Sequence, residues 1–152
     1  MVTATGICVF FVMLTSGAPD DAPLPLQYWA VEGTVEGRDT NSYDTQAQAI
    51  RDALQDLNFD TYRTLEHKTV RLKPSQDSRI PLKDRYTLIL NYTGRDQAGR
   101  ARIAATIELA AKKPDIKPRK VVQTTLLLSK EKARIGGLRT KKGELVLIFA
   151  AQ

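Results

Sequence analysis

Catalysis needs a nucleophile, a proton-transfer group or a metal-ligand set, and this chain carries few of them. It holds one histidine, His67, and one cysteine, Cys8. His67 lies mid-strand between Glu66 and Lys68, the setting of a surface or cross-strand residue. No cysteine or serine nucleophile motif accompanies it. No group of His, Cys and Asp has metal-ligand spacing. Asp20 and Asp21 form a carboxylate pair, but in an extended, proline-rich stretch. Asp52 and Asp56 stand one helical turn apart on the polar side of an expected helix, where they read as solvating charges. Asn91, Tyr92 and Thr93 match a glycosylation acceptor, placed inside an expected strand. The reading is of a protein that is not an enzyme, with no catalytic residue, cofactor or metal.

A second chemistry is anion binding. The chain ends in "ARIGGLRTKKGELVLIFAAQ". A phosphate-cradling Walker loop needs glycine, four residues, then Gly-Lys-Ser/Thr opening a helix. Here Gly137 is followed by "LRTKK", then Gly143 and Glu144, and a strand pattern comes next. Gly136 and Gly137 therefore suit a β-bulge, and "TKKG" a turn. Charge is nevertheless uneven. Residues 112–152 hold eleven Lys or Arg against three acids, a net of +8, so the rest of a +6 chain carries −2. Lys130, Lys132, Arg139, Lys141 and Lys142 are the candidate anion-binding residues, through the field they create. The competing reading is a solubilising sheet edge, since lysines also keep edge strands from aggregating. Aromatic residues are 7% of the chain, and only Phe149 interleaves with this basic third. Single-strand recognition relies on such stacking platforms, so nucleic acid is disfavoured.

The N-terminus reads as an address. No Lys, Arg, Asp or Glu precedes Asp20, and "ICVFFVML" (residues 7–14) has the length of a secretory h-region. It is far short of the roughly 20 residues that span a bilayer. "TSGA" follows with small residues suited to cleavage. Residues 1–18 are thus expected to be a signal peptide, with an uncleaved anchor or a folded segment as alternatives. Cleavage would remove Cys8 and leave a mature chain without thiols. "PDDAPLPLQ" (residues 19–27) reads as an extended linker, since its three prolines are barred from helices and central strands. Residues 28–152 suit one domain.

The elements that would position any site follow from periodicity. "LQYWAVEGTVEG" alternates as a strand. Ser42 and Asp44 are N-cap candidates for an amphipathic helix over residues 45–57, with Ala47, Ile50, Leu54 and Leu57 on one face and Asn58 as a stop. Beyond it the chain reads as β. "DTYRTLEHKTVRL" alternates with Tyr62, Thr64, Glu66, Lys68, Val70 and Leu72 on one face. Ile80 to Leu82 suits a short edge piece around Pro81. "YTLILNYTG" and "RARIAATIELAA" flank the hairpin turn "GRDQAG". "KKPDIKPRK" is a break, and "KVVQTTLLLS" and "ELVLIFAA" complete the strands. The fold class is α+β: one amphipathic helix packed on a mostly antiparallel sheet or sandwich of six to seven strands. Trp29, Ile50, Leu54, Leu57, Ile103, Ile107, Leu126, Leu128, Val146 and Ile148 are the expected core.

Two patterns occur together: Leu54, Leu57, Phe59, Tyr62 and Leu65 in a "LxxLxFxxYxxL" phrase, and the ending "GGLRTKKGELVLI" (residues 136–148). The combination resembles a loose family of small exported bacterial envelope proteins of unassigned activity. The resemblance implies export and a helix followed by antiparallel strands, and it transfers no site residue. Composition, address and resemblance together give a non-catalytic exported binding or assembly module of the cell envelope, periplasmic or extracellular. Its partner would be an envelope protein or an anionic polymer. The alternative is a basic module that binds an anionic polymer, nucleic acid or a membrane surface through its C-terminal third.

Overall fold

Two strands are buried on both faces, and the rest of the chain is arranged around them. The computed structural model describes residues 21–152. The expected signal segment, Cys8, Pro19 and Asp20 lie outside those residues. β1 (Leu24–Thr34) and β9 (Glu144–Ala151) pair antiparallel at the centre of a five-stranded sheet. Its order is β2 (Ser42–Tyr43), β3 (Thr61–Leu72), β1, β9, β8 (Ala133–Arg139). A four-stranded sheet runs β4 (Asp77–Pro81), β5 (Tyr86–Arg95), β6 (Ala101–Leu109), β7 (Arg119–Leu128). All pairings between these strands are antiparallel except that of β2 with β3, which spans two residues.

The main core lies between the sheets. Leu26 and Tyr28 of β1 and Leu147 and Phe149 of β9 meet Leu88 and Leu90 of β5 and Ile103 and Ile107 of β6. The opposite faces of the central strands carry Trp29, Val31, Val146 and Ile148, which form a second cluster with Tyr62, Ala47, Ile50 and Leu54. That double burial explains the near-continuous apolar run "ELVLIFAA". Of the expected core residues only Leu57 stays partly exposed, packed at the rim of the second cluster.

The fold class is corrected. Strands hold 57% of the described residues and helical turns 8%, so this is a β-sandwich of nine strands rather than an α+β fold of six to seven. The amphipathic helix over residues 45–57 does not form. Its place is taken by α1 (Thr45–Gln48) and a separate 3-10 turn, Arg51–Ala53, with Ile50 between them at φ −120°, ψ 22°. Ala47, Ile50 and Leu54 are still fully buried, so the hydrophobic spacing is obeyed by two tight turns. A lone helix of about thirteen residues is marginal, and tertiary bonds decide its backbone. Here Asp44 caps α1 through Ala47 N–H (2.8 Å) and also accepts from the Thr64 hydroxyl (2.9 Å). The Tyr62 hydroxyl donates to the Leu54 carbonyl (3.0 Å). Ser42, the other cap candidate, lies in β2.

Two further expectations change. β1 begins at Leu24, within the stretch read as a linker, and Leu24 and Leu26 are buried. Pro25 is accommodated because β9 pairs only from Leu26 onward, so its missing N–H falls at the end of the ladder. The single face expected for residues 62–72 is broken by a bulge, where the register against β1 slips between Ala30 and Val31. Tyr62 joins the outer cluster, whereas Val70 and Leu72 face the main core. The turns hold as expected. Asp96 closes the β5–β6 hairpin by accepting from Ala98 and Arg100 N–H, and the β8–β9 register slips between Ile135 and Leu138, at Gly136 and Gly137.

Candidate anion-binding site

Among the described residues Glu32 is the one buried charged side chain, 2% exposed near the end of β1. Three elements converge on it. Arg63 of β3 donates from Nη2 at 2.9 Å, Lys83 before β5 from Nζ at 2.8 Å, and Thr140 after β8 from its hydroxyl at 3.0 Å. Burial alone would raise the Glu32 pKa, but the bonds from Lys83, Thr140 and Arg63 outweigh it and hold the carboxyl below its ordinary value. Glu32 is therefore a fixed anion that ties four elements together at one end of the sandwich.

The β8–β9 turn is seated on this carboxylate. Thr140 Oγ1 accepts from Gly143 N–H at 3.0 Å while donating to Glu32. Gly143 lies so close to β1 that a Cβ would fall 2.0 Å from the Gly33 carbonyl oxygen. Opposite stands the 3-10 turn Lys83–Arg85, in which Asp84 and Arg85 are both left-handed, at φ 56° and 68°. Consecutive non-glycine residues in that region are costly and persist only where their surroundings fix them. The fixing bonds are all present. Asp84 Oδ2 accepts from Lys141 N–H (3.1 Å), Arg85 exchanges two bonds with Ala110, and the Tyr86 hydroxyl donates to the Arg139 carbonyl (3.0 Å).

Between these two turns lies a cavity of about 400 Å³, lined by Arg85, Tyr86, Leu109, Arg139, Thr140 and Lys141 together with Asp84. A smaller one of about 100 Å³ sits beside Glu32 and Arg63, with Lys142 on its wall. Arg139, Lys141 and Lys142 are exposed and have no ion-pair partner among the described residues. Guanidinium and ammonium groups around a hollow can take a carboxylate or phosphate with charge-assisted hydrogen bonds.

The five cations singled out in the sequence are not one patch. Arg139, Lys141 and Lys142 gather at this end. Lys130 and Lys132 lie before the other end of β8, roughly 20 Å away at about 3.4 Å per residue. Lys132 is bound to Asp52 at 3.2 Å, and its neighbour Arg134 to Asp56 at 2.6 Å and to the Ala53 carbonyl at 2.8 Å. Asp52 and Asp56, read as solvating charges, are thus partners that fasten the helical segment to β8. The Arg134 hydrogen bond holds the Asp56 carboxyl below its ordinary value.

Glu32, Lys83, Asp84 and Arg85 escaped the sequence reading. Glu32 left one trace: it is the sole acid in "LPLQYWAVEGT". His67 stacks on Trp29 across the outer face, with ring centroids 4.4 Å apart and planes 11° apart. The Asn91 side chain donates to Asp77 Oδ1 at 2.8 Å. No group of three or more His, Cys, Asp or Glu among the described residues has the geometry to hold a metal ion. No helix among them is long and apolar enough to cross a membrane. Comparison with protein-family models, with curated proteins and with solved structures found no match in any of the three.

Proposed function

We infer that the chain is a non-catalytic binding module of the bacterial cell envelope, and that the Glu32 end of the sandwich takes an anionic ligand. The observation that carries this reading is the pairing state of the cations. Arg139 and Lys141 stand without ion-pair partners among the described residues beside Arg85 around the larger cavity, while Lys132 and Arg134 at the other end of β8 are bound to aspartates. The ligand is a phosphate- or carboxylate-bearing chain, because Arg85, Arg139 and Lys141 line the open cavity beside its apolar walls, Tyr86 and Leu109. The one buried carboxylate is held ionised by three donors, which suits it to a structural role rather than to proton transfer. Export rests on the uncharged segment before Asp20 and on the resemblance of residues 54–152 to exported envelope proteins.

Binding to inorganic polyphosphate and to a polyuronate, titrated across a salt series, tests the site. Affinity should fall linearly on a log–log plot against salt. Arg139→Ala with Lys141→Ala should weaken it and flatten the slope by about one per cation removed. Binding that ignores salt, or that survives the double substitution, would overturn the assignment. Cell fractionation with intact-mass measurement tests export: loss of the first eighteen or so residues in a periplasmic or secreted product supports it, and an intact chain in the cytosol refutes it.

A further inference from the structure

Among the described residues the two sheets have four edges, and three are guarded against strand addition. β2 covers only Thr61 and Tyr62 of β3, and the rest of that edge, β3 itself, carries Arg63, Glu66, Lys68 and Arg71. β4 is five residues, carries Asp77 and Arg79, and ends in Pro81, which has no N–H to offer. β8 is interrupted by the Gly136–Gly137 bulge and flanked by Arg134 and Arg139. β7 has none of these devices. It runs ten residues, its stretch 121–128 is "VVQTTLLL" without a charge or proline, and its one irregularity against β6 lies near Glu108, at its N-terminal end. From Val122 to Leu128 it is regular, with one side of its backbone unpaired by any strand among the described residues.

The core-facing side of β7 is also incompletely covered. Val122 and Thr124 face inward, opposite the fully buried Ile107 and Ala105. Yet Val122 is half-buried and Thr124 exposed, whereas Leu126 and Leu128 on the same side are buried. On the outer side Leu127 is 43% exposed, one of three large apolar side chains so exposed among the described residues.

We propose that β7 is a dimerisation edge that pairs antiparallel with β7 of a second copy of this chain, across a twofold axis at Thr124. The sequence is self-complementary in that register. Val122 meets Leu126 of the partner copy on the core side, and Gln123 meets Thr125 on the outer side. The strand's two cations, Arg119 and Lys120, sit at one end, so antiparallel pairing sets Lys120 opposite Leu128 of the partner copy and opposes no like charges within the strand. The product is a continuous eight-stranded sheet with an isologous interface.

Light scattering on the size-fractionated full chain, over a concentration series, reads the mass directly. The expected result is twice the monomer mass at high concentration. Gln123→Lys with Thr125→Lys opposes like charges across the axis and should halve the mass, as should the same pair changed to Glu. Both positions are exposed, so circular dichroism should show an unchanged sheet. An equimolar mixture of the two variants places lysine opposite glutamate and should recover the doubled mass. A wild-type chain that stays monomeric overturns the proposal, leaving the edge to a strand of some other protein. A dimer indifferent to both substitutions overturns it too, as does a mixture that fails to reassociate.

Discussion

The two ends of β8 have similar composition and different physics. At the start of the strand Lys132 and Arg134 face Asp52 and Asp56, and the charge is spent holding the helical segment against the sheet. At its end Arg139, Lys141 and Lys142 surround hollows, and the one nearby buried carboxylate is occupied by Lys83, Arg63 and Thr140. A net charge summed over the C-terminal third cannot tell these ends apart. What separates them is where the acids fall in space: residues 52 and 56 reach the first end, while among the described residues the acids at the second are engaged elsewhere, Glu32 by Arg63 and Lys83, Glu36 by Arg38 and Asp84 by the Lys141 backbone.

The sharpest way to break the comparison is to remove the turn that makes the second end. Gly143→Ala drives a methyl group into the Gly33 carbonyl, a backbone atom that cannot step aside. Unfolding in denaturant should show a loss of about 4 kcal/mol or more. Next comes Glu32→Gln, which keeps the shape but leaves Lys83 and Arg63 around a neutral group. A loss of about 2 to 3 kcal/mol is expected, the scale of hydrogen bonds to a charged partner. The same carboxylate makes the fold acid-sensitive. Its folded pKa lies below its ordinary 4.5, so its contribution is complete above that value and is lost as pH falls through the folded one. Asp60 adds to this at lower pH: the Glu36, Arg38 and Gly37 N–H groups, with the Thr61 hydroxyl, push its carboxyl down to about 2. Thermal midpoints should therefore decline from about pH 4.5 towards 2, and Glu32→Gln should flatten the upper part of that decline.

The sequence made strands and turns legible because each carries its own punctuation: Pro81 at an edge, Gly136 and Gly137 at a bulge, Asp96 and Gly99 in a hairpin. It made the outer cluster legible too, since Ala47, Ile50 and Leu54 keep the spacing of one face. The backbone that delivers this spacing was not legible. Whether i, i+3, i+7 becomes one helix or two short turns depends on Asp44, Tyr62 and Thr64 meeting across the fold. The site was half legible for the same reason. Arg139, Lys141 and Lys142 announce themselves as a basic turn, but Glu32, Lys83 and Asp84 come from distant stretches, and only topology brings them together.

The smaller predictions probe the two ends separately. Arg134→Ala removes the clasp on the Ala53 carbonyl and Asp56, and should lower stability by less than Glu32→Gln, because exposed ion pairs contribute little. It should loosen the helical segment first, seen as faster amide exchange over residues 45–57 than in the sheets. The least effect on stability belongs to Arg139→Ala with Lys141→Ala, within about 0.5 kcal/mol of the wild type, because both side chains are exposed and neither anchors another element. That silence is the informative result. Cations that can be removed without cost to the fold, yet whose removal abolishes salt-sensitive binding, serve a ligand. Lys130→Ala with Lys132→Ala should give the reverse pattern: polyphosphate binding is retained, and the helical segment loses its tie to β8 through Asp52. If both pairs weaken binding equally, the ligand reads the diffuse field of the whole basic third, and the distinction between the two ends of β8 fails.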